Sequence, residues 1–231
     1  MKTWIVDDVM TTHVVTATPR MPYRALVDEL VDKRVSALPV VDARNRVIGV
    51  VSEADLLRKI EYAEDDRAPR LFVSRHRRAD QVKADGRTAR ELMTTPAVTV
   101  PAGTPGARAA RLMNAQNVKR LPVVDKLGRL VGIVSRSDLL KIHLRPDADI
   151  RADVVHEILE RILVVEEGQV RVSVLDGVVS LAGRVDRRSA AALAARLARH
   201  IPGVVEVVSH LSYDFDDTGL VANRGLPFGV A

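Results

Sequence analysis

The chain of 231 residues contains no cysteine, which excludes disulfide bonds, thiolate nucleophiles and cysteine-containing zinc sites together. Aromatic residues make up only 3% of it, so few side chains are available to stack on nucleic-acid bases. No apolar run approaches the roughly 18 residues that a membrane-spanning helix needs. The first residues lead into Asp7 and Asp8 rather than into an apolar secretion signal, and we therefore expect a cytoplasmic protein.

Several catalytic signatures are also missing. The sequence has no glycine-rich phosphate loop, no Gly-x-Ser-x-Gly elbow and no His-Glu-x-x-His motif. Its six histidines are scattered, and no pair has the helical spacing of metal ligands. We expect neither an enzyme nor a metal site.

What the chain does contain is an internal repeat. Residues 10–57 match residues 93–140 at a constant offset of 83, without gaps, and 19 of the 48 aligned pairs are identical. Met-Thr-Thr occurs at both starts, Leu-Pro-Val-Val-Asp in both centres and Ser-x-x-Asp-Leu-Leu at both ends. Identity at this level indicates a duplicated unit.

Each copy alternates between strand and helix patterns. In the first copy, an apolar helical face is predicted for Tyr23, Leu26, Val27, Leu30 and Val31. Two short β-branched runs follow, Ala37–Val41 and Val47–Val51, joined by four polar residues as in a hairpin. The predicted order is strand, helix, strand, strand, helix.

These motifs resemble the cystathionine-β-synthase (CBS) domain family, whose repeats occur in tandem and pack as a pseudo-twofold pair. We assign residues 1–60 to the first repeat and 89–145 to the second. The spacer at 61–88 carries Glu64-Asp65-Asp66 and Arg75-His76-Arg77-Arg78, and we expect a charged, mobile linker loop there.

The pattern changes after the repeats. A short amphipathic helix is predicted through Val154 to Ile162, then two strands around the turn Asp176-Gly177, a helix at Ser189–His200 and a third strand at Val204–Leu211. Residues 150–213 resemble a BON domain through the run Asp176–Gly183 and the later run Ile201–Val207. The remainder, 214–231, is expected to be a flexible tail. The fold class is α+β: two CBS repeats and an αββαβ module.

The Ser-x-x-Asp pairs, Ser52 with Asp55 and Ser135 with Asp138, support two interpretations. A serine before a helix with a carboxylate three residues later resembles a capping box, which needs no ligand. The CBS resemblance implies that the serine approaches the sugar or phosphate of an adenosyl ligand and that the aspartate accepts hydrogen bonds from its ribose hydroxyls. A carboxylate offers two acceptors to the two donors of a cis-diol.

The resemblance also places phosphate contacts just before the central strand. Lys119 and Arg120 occupy that place in the second repeat, whereas Ser36 and Ala37 occupy it in the first, so the two sites are not expected to be equivalent. The basic pair equally fits a solvated strand edge, and in a regular strand the two side chains point to opposite faces.

Four further positions match the family's ligand-binding positions or flank them. Thr16 and Thr99 correspond to first-strand positions near the adenosyl group, although a β-branched threonine is common in any strand. Pro39 and Pro122 follow in the central strands, where proline also shapes a sheet edge.

The leading hypothesis is a non-enzymatic regulatory sensor that binds AMP, ADP, ATP or S-adenosylmethionine in the clefts of the CBS pair, forms a homodimer and signals to the BON domain or a partner. The alternative is a scaffold protein with vestigial clefts whose BON domain docks to phospholipid or protein. The distribution of net charge along the chain helps to choose between a small-molecule ligand and nucleic acid as the partner. The +5 excess lies in residues 90–149, with ten basic and five acidic side chains, while residues 150–213 balance at eight each. A local positive field around Lys119 suits a phosphorylated small molecule better than nucleic acid.

Overall fold

The computed structural model describes residues 4–63, 85–166 and 168–219. The chain divides into two compact units, one at Ile5–Leu139 and one made chiefly of the chain from Leu140 onward. Within the described residues, no helix has the length and apolar character needed to cross a membrane.

The first unit holds both repeats. Its helices are α1 (Tyr23–Asp32), α2 (Glu53–Ala63), α3 (Ala89–Leu92), α4 (Gly106–Ala115) and α5 (Arg136–Leu140), and its strands are β1 (Ala37–Val41), β2 (Val47–Ser52), β3 (Val100–Pro101), β4 (Arg120–Val124) and β5 (Leu130–Ser135).

The predicted hairpins are confirmed in both repeats, because β1 pairs antiparallel with β2 and β4 with β5. An aspartate at the end of each Leu-Pro-Val-Val-Asp string closes the turn. Asp42 accepts hydrogen bonds from the backbone N–H of Arg44 at 2.8 Å and of Arg46 at 2.9 Å, and from Nε of Arg46 at 2.8 Å. Asp125 makes the equivalent contacts around Arg129 in the second hairpin.

The predicted first strands are much shorter than the other strands. In the second repeat, β3 has two residues and pairs parallel with β4, and in the first repeat the pairing shrinks to one bridge between Ala17 and Val40. In the first repeat the Ala17 N–H donates to the Pro39 carbonyl, and Pro19, two residues later, has no N–H to donate the next ladder hydrogen bond.

The repeats exchange their leading segments. Thr11 of the first repeat forms two 2.9 Å backbone hydrogen bonds with Ile133 on β5, and Thr94 of the second repeat pairs in the same way with Val50 on β2. Next to this bridge, Gly49 leaves room for Met93, whose side chain would collide with any Cβ at position 49. Gly132 and Met10 repeat the arrangement. Each repeat therefore completes the sheet edge of the other.

Each repeat nevertheless has its own apolar core. Leu26, Leu38 and Val51 are fully buried in the first core, and Met113 and Leu121 in the second. One predicted core position is wrong: Val31 is 67% exposed, because the buried stripe of α1 centres on Leu26 and Leu30.

The second unit follows the predicted order of helix, strand, strand, helix, strand. It contains α6 (Asp147–Asp153), which continues as a π-helical segment at Val154–Glu160, then β6 (Val170–Leu175), β7 (Val178–Arg187), α7 (Arg188–Ala198) and β8 (Glu206–Phe215). The sheet order is β6-β7-β8, with β6 antiparallel and β8 parallel to β7. Ile162, predicted on the apolar helical face, lies beyond the helix and is 43% exposed.

The boundaries of the expected linker and tail differ from the prediction. Helix α2 continues to Ala63, and Thr88 already pairs with Pro22, so part of the 61–88 span is structured. At the other end β8 runs to Phe215 and Asp217 is only 4% exposed, although its neighbours in residues 214–219 are exposed. The charged runs Glu64–Asp66 and Arg75–Arg78 and residues 220–231 lie outside the described residues.

Candidate functional site

The first Ser-x-x-Asp pair lies where β2 passes into α2. Asp55 is 6% exposed, and its Oδ2 accepts hydrogen bonds from the backbone N–H of Ser52 at 2.9 Å and from the Ser52 hydroxyl at 2.6 Å. The carboxylate near the first turn also faces the positive end of the helix. The carboxylate half of a capping box, the interpretation that needs no ligand, is therefore present.

The second pair has the same geometry where β5 passes into α5. Oδ2 of Asp138 accepts from the backbone N–H of Ser135 at 2.9 Å and from its hydroxyl at 2.6 Å, and the Asp138 N–H reaches the Ser135 hydroxyl oxygen at 3.2 Å. Capping fixes the carboxylate in place, which is the preorganisation that a ligand-binding group needs. The two interpretations are compatible in both repeats.

A cavity of about 330 Å³ opens beside the first pair. We call it the Asp55 cleft. Its volume is within the range of small-molecule sites. The first repeat contributes Ser52, Asp55 and Arg58, and the second contributes Lys119 and Arg120. The ribose-binding and phosphate-binding candidates are thus brought together from different repeats.

A smaller cavity of about 200 Å³, the Asp138 cleft, opens beside the second pair. Its wall includes Ser135 and Asp138 from the second repeat and Thr11, His13 and Arg34 from the first. The crossed composition follows from the exchange of leading segments, which carries Thr11 across to β5.

Arg120 lines both clefts. Burial lowers the pKa of its guanidinium from the usual value, while the charges of Glu53 and Asp138 act in the opposite direction. Glu53 lines the Asp55 cleft and Asp138 the other. The guanidinium is therefore within electrostatic range of both.

Lys119 precedes the first residue of β4, so the strict alternation of a strand does not apply to it. Both Lys119 and Arg120 line the Asp55 cleft. Lys119 is exposed, whereas Arg120 is half-buried.

The remaining predicted site residues divide into two groups. Ser36 and Ala37 line both clefts, next to Arg120. The half-buried Thr16 and Thr99 and the buried Pro39 and Pro122 are not among the residues that line either cleft.

Four polar residues that sequence reasoning missed come from the partner repeat or from the helix beyond the motif. His13 and Arg34 line the Asp138 cleft, and Arg58 and Asn117 line the Asp55 cleft. The signal for Arg58 was its position three residues after Asp55, which is one helical turn. His13 and Arg34 reach the Asp138 cleft because the repeats exchange segments. No local sequence pattern indicates that position.

No group of three or more potential metal ligands of the His, Cys, Asp or Glu type occurs in residues 4–63, 85–166 and 168–219.

Models of two protein families match the chain. The CBS domain model matches residues 6–62 and 89–145, and the BON domain model matches residues 146–214.

Individual proteins match the repeat region. A CBS domain-containing protein of Dictyostelium discoideum is 34% identical over 111 residues, which are 48% of this chain and 71% of that protein. An uncharacterised protein of Methanopyrus kandleri is 27% identical over 142 residues, covering 62% of this chain and 64% of its own length. The chain thus spans less than two thirds of some of its relatives. The crystal structure of CBSX2 in complex with AMP superimposes with a TM-score of 0.53 and 30% identity, over 61% of this chain and 97% of that one.

Proposed function

Since this chain belongs to the CBS domain family and carries a BON domain after its CBS pair, we propose that it is a non-enzymatic regulatory sensor of an adenosyl ligand. One observation carries the proposal most directly. The Asp55 cleft joins a preorganised carboxylate from one repeat to two cationic side chains from the other, as a ribose and a phosphate require. The related structure that contains AMP adds support.

The charges of the Asp55 cleft favour a phosphorylated ligand over S-adenosylmethionine. Arg58, Lys119 and Arg120 stand against the carboxylates Glu53 and Asp55, an excess of cations. A phosphate anion gains from this excess, whereas the sulfonium cation of S-adenosylmethionine does not. AMP, ADP and ATP are therefore the ligands to test first, with S-adenosylmethionine as the comparison.

Calorimetric titration of the full chain tests the proposal. We expect saturable binding of at least one adenine nucleotide, weakened by about 10-fold or more in Asp55→Asn, because the amide keeps a capping oxygen but loses the charge that attracts ribose hydroxyls. Asp42→Asn, a carboxylate of the same repeat outside both clefts, is the matched control and should bind as the parent does. Absence of heat with all four ligands would refute the assignment.

The sensor is proposed to act as a cytoplasmic homodimer. Large apolar side chains on the first unit support association, since Val31 on α1 and Leu57 and Ile60 on α2 are 52–67% exposed. Light scattering should give twice the monomer mass, and Ile60→Glu should lower it. A parent chain of monomer mass at micromolar concentration would contradict the dimer.

A second candidate function belongs to the BON unit, which we propose docks to a phospholipid surface. Leu175 and Val205 are 73% and 64% exposed on either side of the Gly177 turn, where the Val205 N–H bonds to the Gly177 carbonyl at 2.9 Å. Because residues 150–213 carry no net charge, attachment would be apolar rather than electrostatic. The parent chain should sediment with neutral vesicles, whereas the Leu175→Asp variant should stay in the supernatant. Equal sedimentation of parent and variant would exclude this surface.

A further inference from the structure

The two clefts share part of their walls. The offset of 83 pairs Arg120 with Ala37 and Lys119 with Ser36. Arg120, Ala37 and Ser36 each line both cavities. These equivalent positions therefore lie where the two clefts approach each other, near the axis that relates the repeats.

The duplication is unequal at that place. If position 37 also held an arginine, each cleft would have a guanidinium of its own. Position 37 is instead a buried alanine, 6% exposed, which carries no charge. Among the residues that the structure describes, Arg120 is thus the one cation that lines both cavities, while Lys119 lines the Asp55 cleft alone and Arg34 the Asp138 cleft alone.

We propose that Arg120 couples the two clefts negatively, so that a phosphate-bearing ligand in one cleft weakens binding of a second in the other. The physical reason is geometric. A guanidinium turned toward a phosphate in the Asp55 cleft is withdrawn from the Asp138 cleft, and Asp138 then meets a second anionic ligand without that compensation. Coupling between binding sites is reciprocal, so the weakening is the same whichever cleft fills first. This inference rests on the proposed nucleotide binding.

The electrostatic surroundings of Arg120 agree with a shared role. Carboxylates act on its charge from both sides, Glu53 from one cleft and Asp138 from the other. A side chain held by one cleft alone would have its partners in that cleft. The half-buried position also limits competition from water for the phosphate contact.

Stepwise calorimetry of the full chain with AMP, and in parallel with ATP, tests the coupling. In the parent the first and second dissociation constants should differ by about 10- to 100-fold, the cost of one lost charge-assisted hydrogen bond. In Arg120→Gln the first step should weaken, the second should change little, and the separation should shrink by about 10- to 100-fold. Any separation that remains measures the intrinsic difference between the two unequal clefts. Arg120→Met provides a second neutral variant should the glutamine chain not fold, with circular dichroism as the check.

Lys119→Gln and Arg34→Gln are the matched controls, because each removes a cation that lines only one cleft. Each should weaken binding in its own cleft and so shift the ratio of the two constants, but adding Arg120→Gln to either variant should still narrow the separation by the same factor. Two identical steps in the parent, or a separation that persists unchanged in Arg120→Gln, would overturn the coupling while leaving nucleotide binding intact. Absence of heat in the parent would instead refute the proposed function itself.

Discussion

Asp42 and Asp125 show how one side chain decides the local chain path in both repeats. Hydrogen bonds from the backbone of Arg46 lower the pKa of the Asp42 carboxyl below its ordinary range, and those from Arg129 do the same for Asp125. A carboxyl whose pKa is lower in the folded than in the unfolded chain stabilises the fold above the unfolded value. That contribution is lost as the pH falls through the folded value.

We therefore predict that the free energy of unfolding in urea falls from about pH 4 to pH 2. The variant Asp42→Asn/Asp125→Asn should be less stable than the parent at pH 7 and should lose less over this acid interval. An identical pH slope in the two proteins would show that these turns are not responsible.

The sequence predicted the roles of single residues where those roles depend on neighbours in the chain. It did not predict roles that depend on contacts between distant segments. Ser-x-x-Asp and its capping geometry can be recognised from spacing alone, because a helix start imposes that spacing. No sequence pattern indicated that Arg120 lines both clefts, because this position depends on the approach of segments more than 80 residues apart.

At the scale of elements, apolar periodicity located the central hairpins and the α1 helix correctly, because alternation and helical spacing reflect burial directly. The lengths of β3 and β8 were not predictable in this way. β8 extends past its apolar core residues because its parallel pairing with β7 continues as far as Phe215.

The end of β8 also stabilises α7. Asp217 accepts hydrogen bonds from the backbone N–H of Ser189 at 3.0 Å and from its hydroxyl at 2.6 Å, in the first turn of the helix. These bonds lower the pKa of the Asp217 carboxyl.

Asp217→Ala should lower the thermal midpoint of the BON unit by roughly 4 °C or more, because a helix start loses its partner. Its exposed neighbour provides the control: Asp216→Ala should shift the midpoint less, as it removes only surface contacts to Arg188 and Thr218. Equal shifts in the two variants would contradict a capping role for Asp217. Calorimetric melting of the full chain measures both.

For the whole molecule, the proposed signalling requires a link between the two units, and the covalent chain after α5 provides one. Helix α5, which contains Asp138, is followed by a 3₁₀ turn at Lys141–Leu144 and then by Arg145. Arg145 donates a hydrogen bond to the Pro202 carbonyl at 2.7 Å and forms an ion pair with Asp153 at 2.8 Å. The Arg145 side chain therefore packs within the BON unit.

Binding in the Asp138 cleft should therefore slow amide hydrogen exchange from α5 through Arg145 when AMP is added to the full chain. In Arg145→Gln the protection should remain in α5 and disappear around Pro202. Protection confined to the CBS pair in the parent chain would mean that the ligand signal is not passed along this segment.

The central claim is that a composite cleft, with its carboxylate from one repeat and its cations from the other, holds an adenine nucleotide. A crystal structure of the full chain grown with millimolar AMP tests it most directly. The account predicts ribose hydroxyls within hydrogen-bonding distance of Asp55 and a phosphate beside Lys119 and Arg120. Empty clefts at that concentration, or AMP bound on another surface, would contradict it.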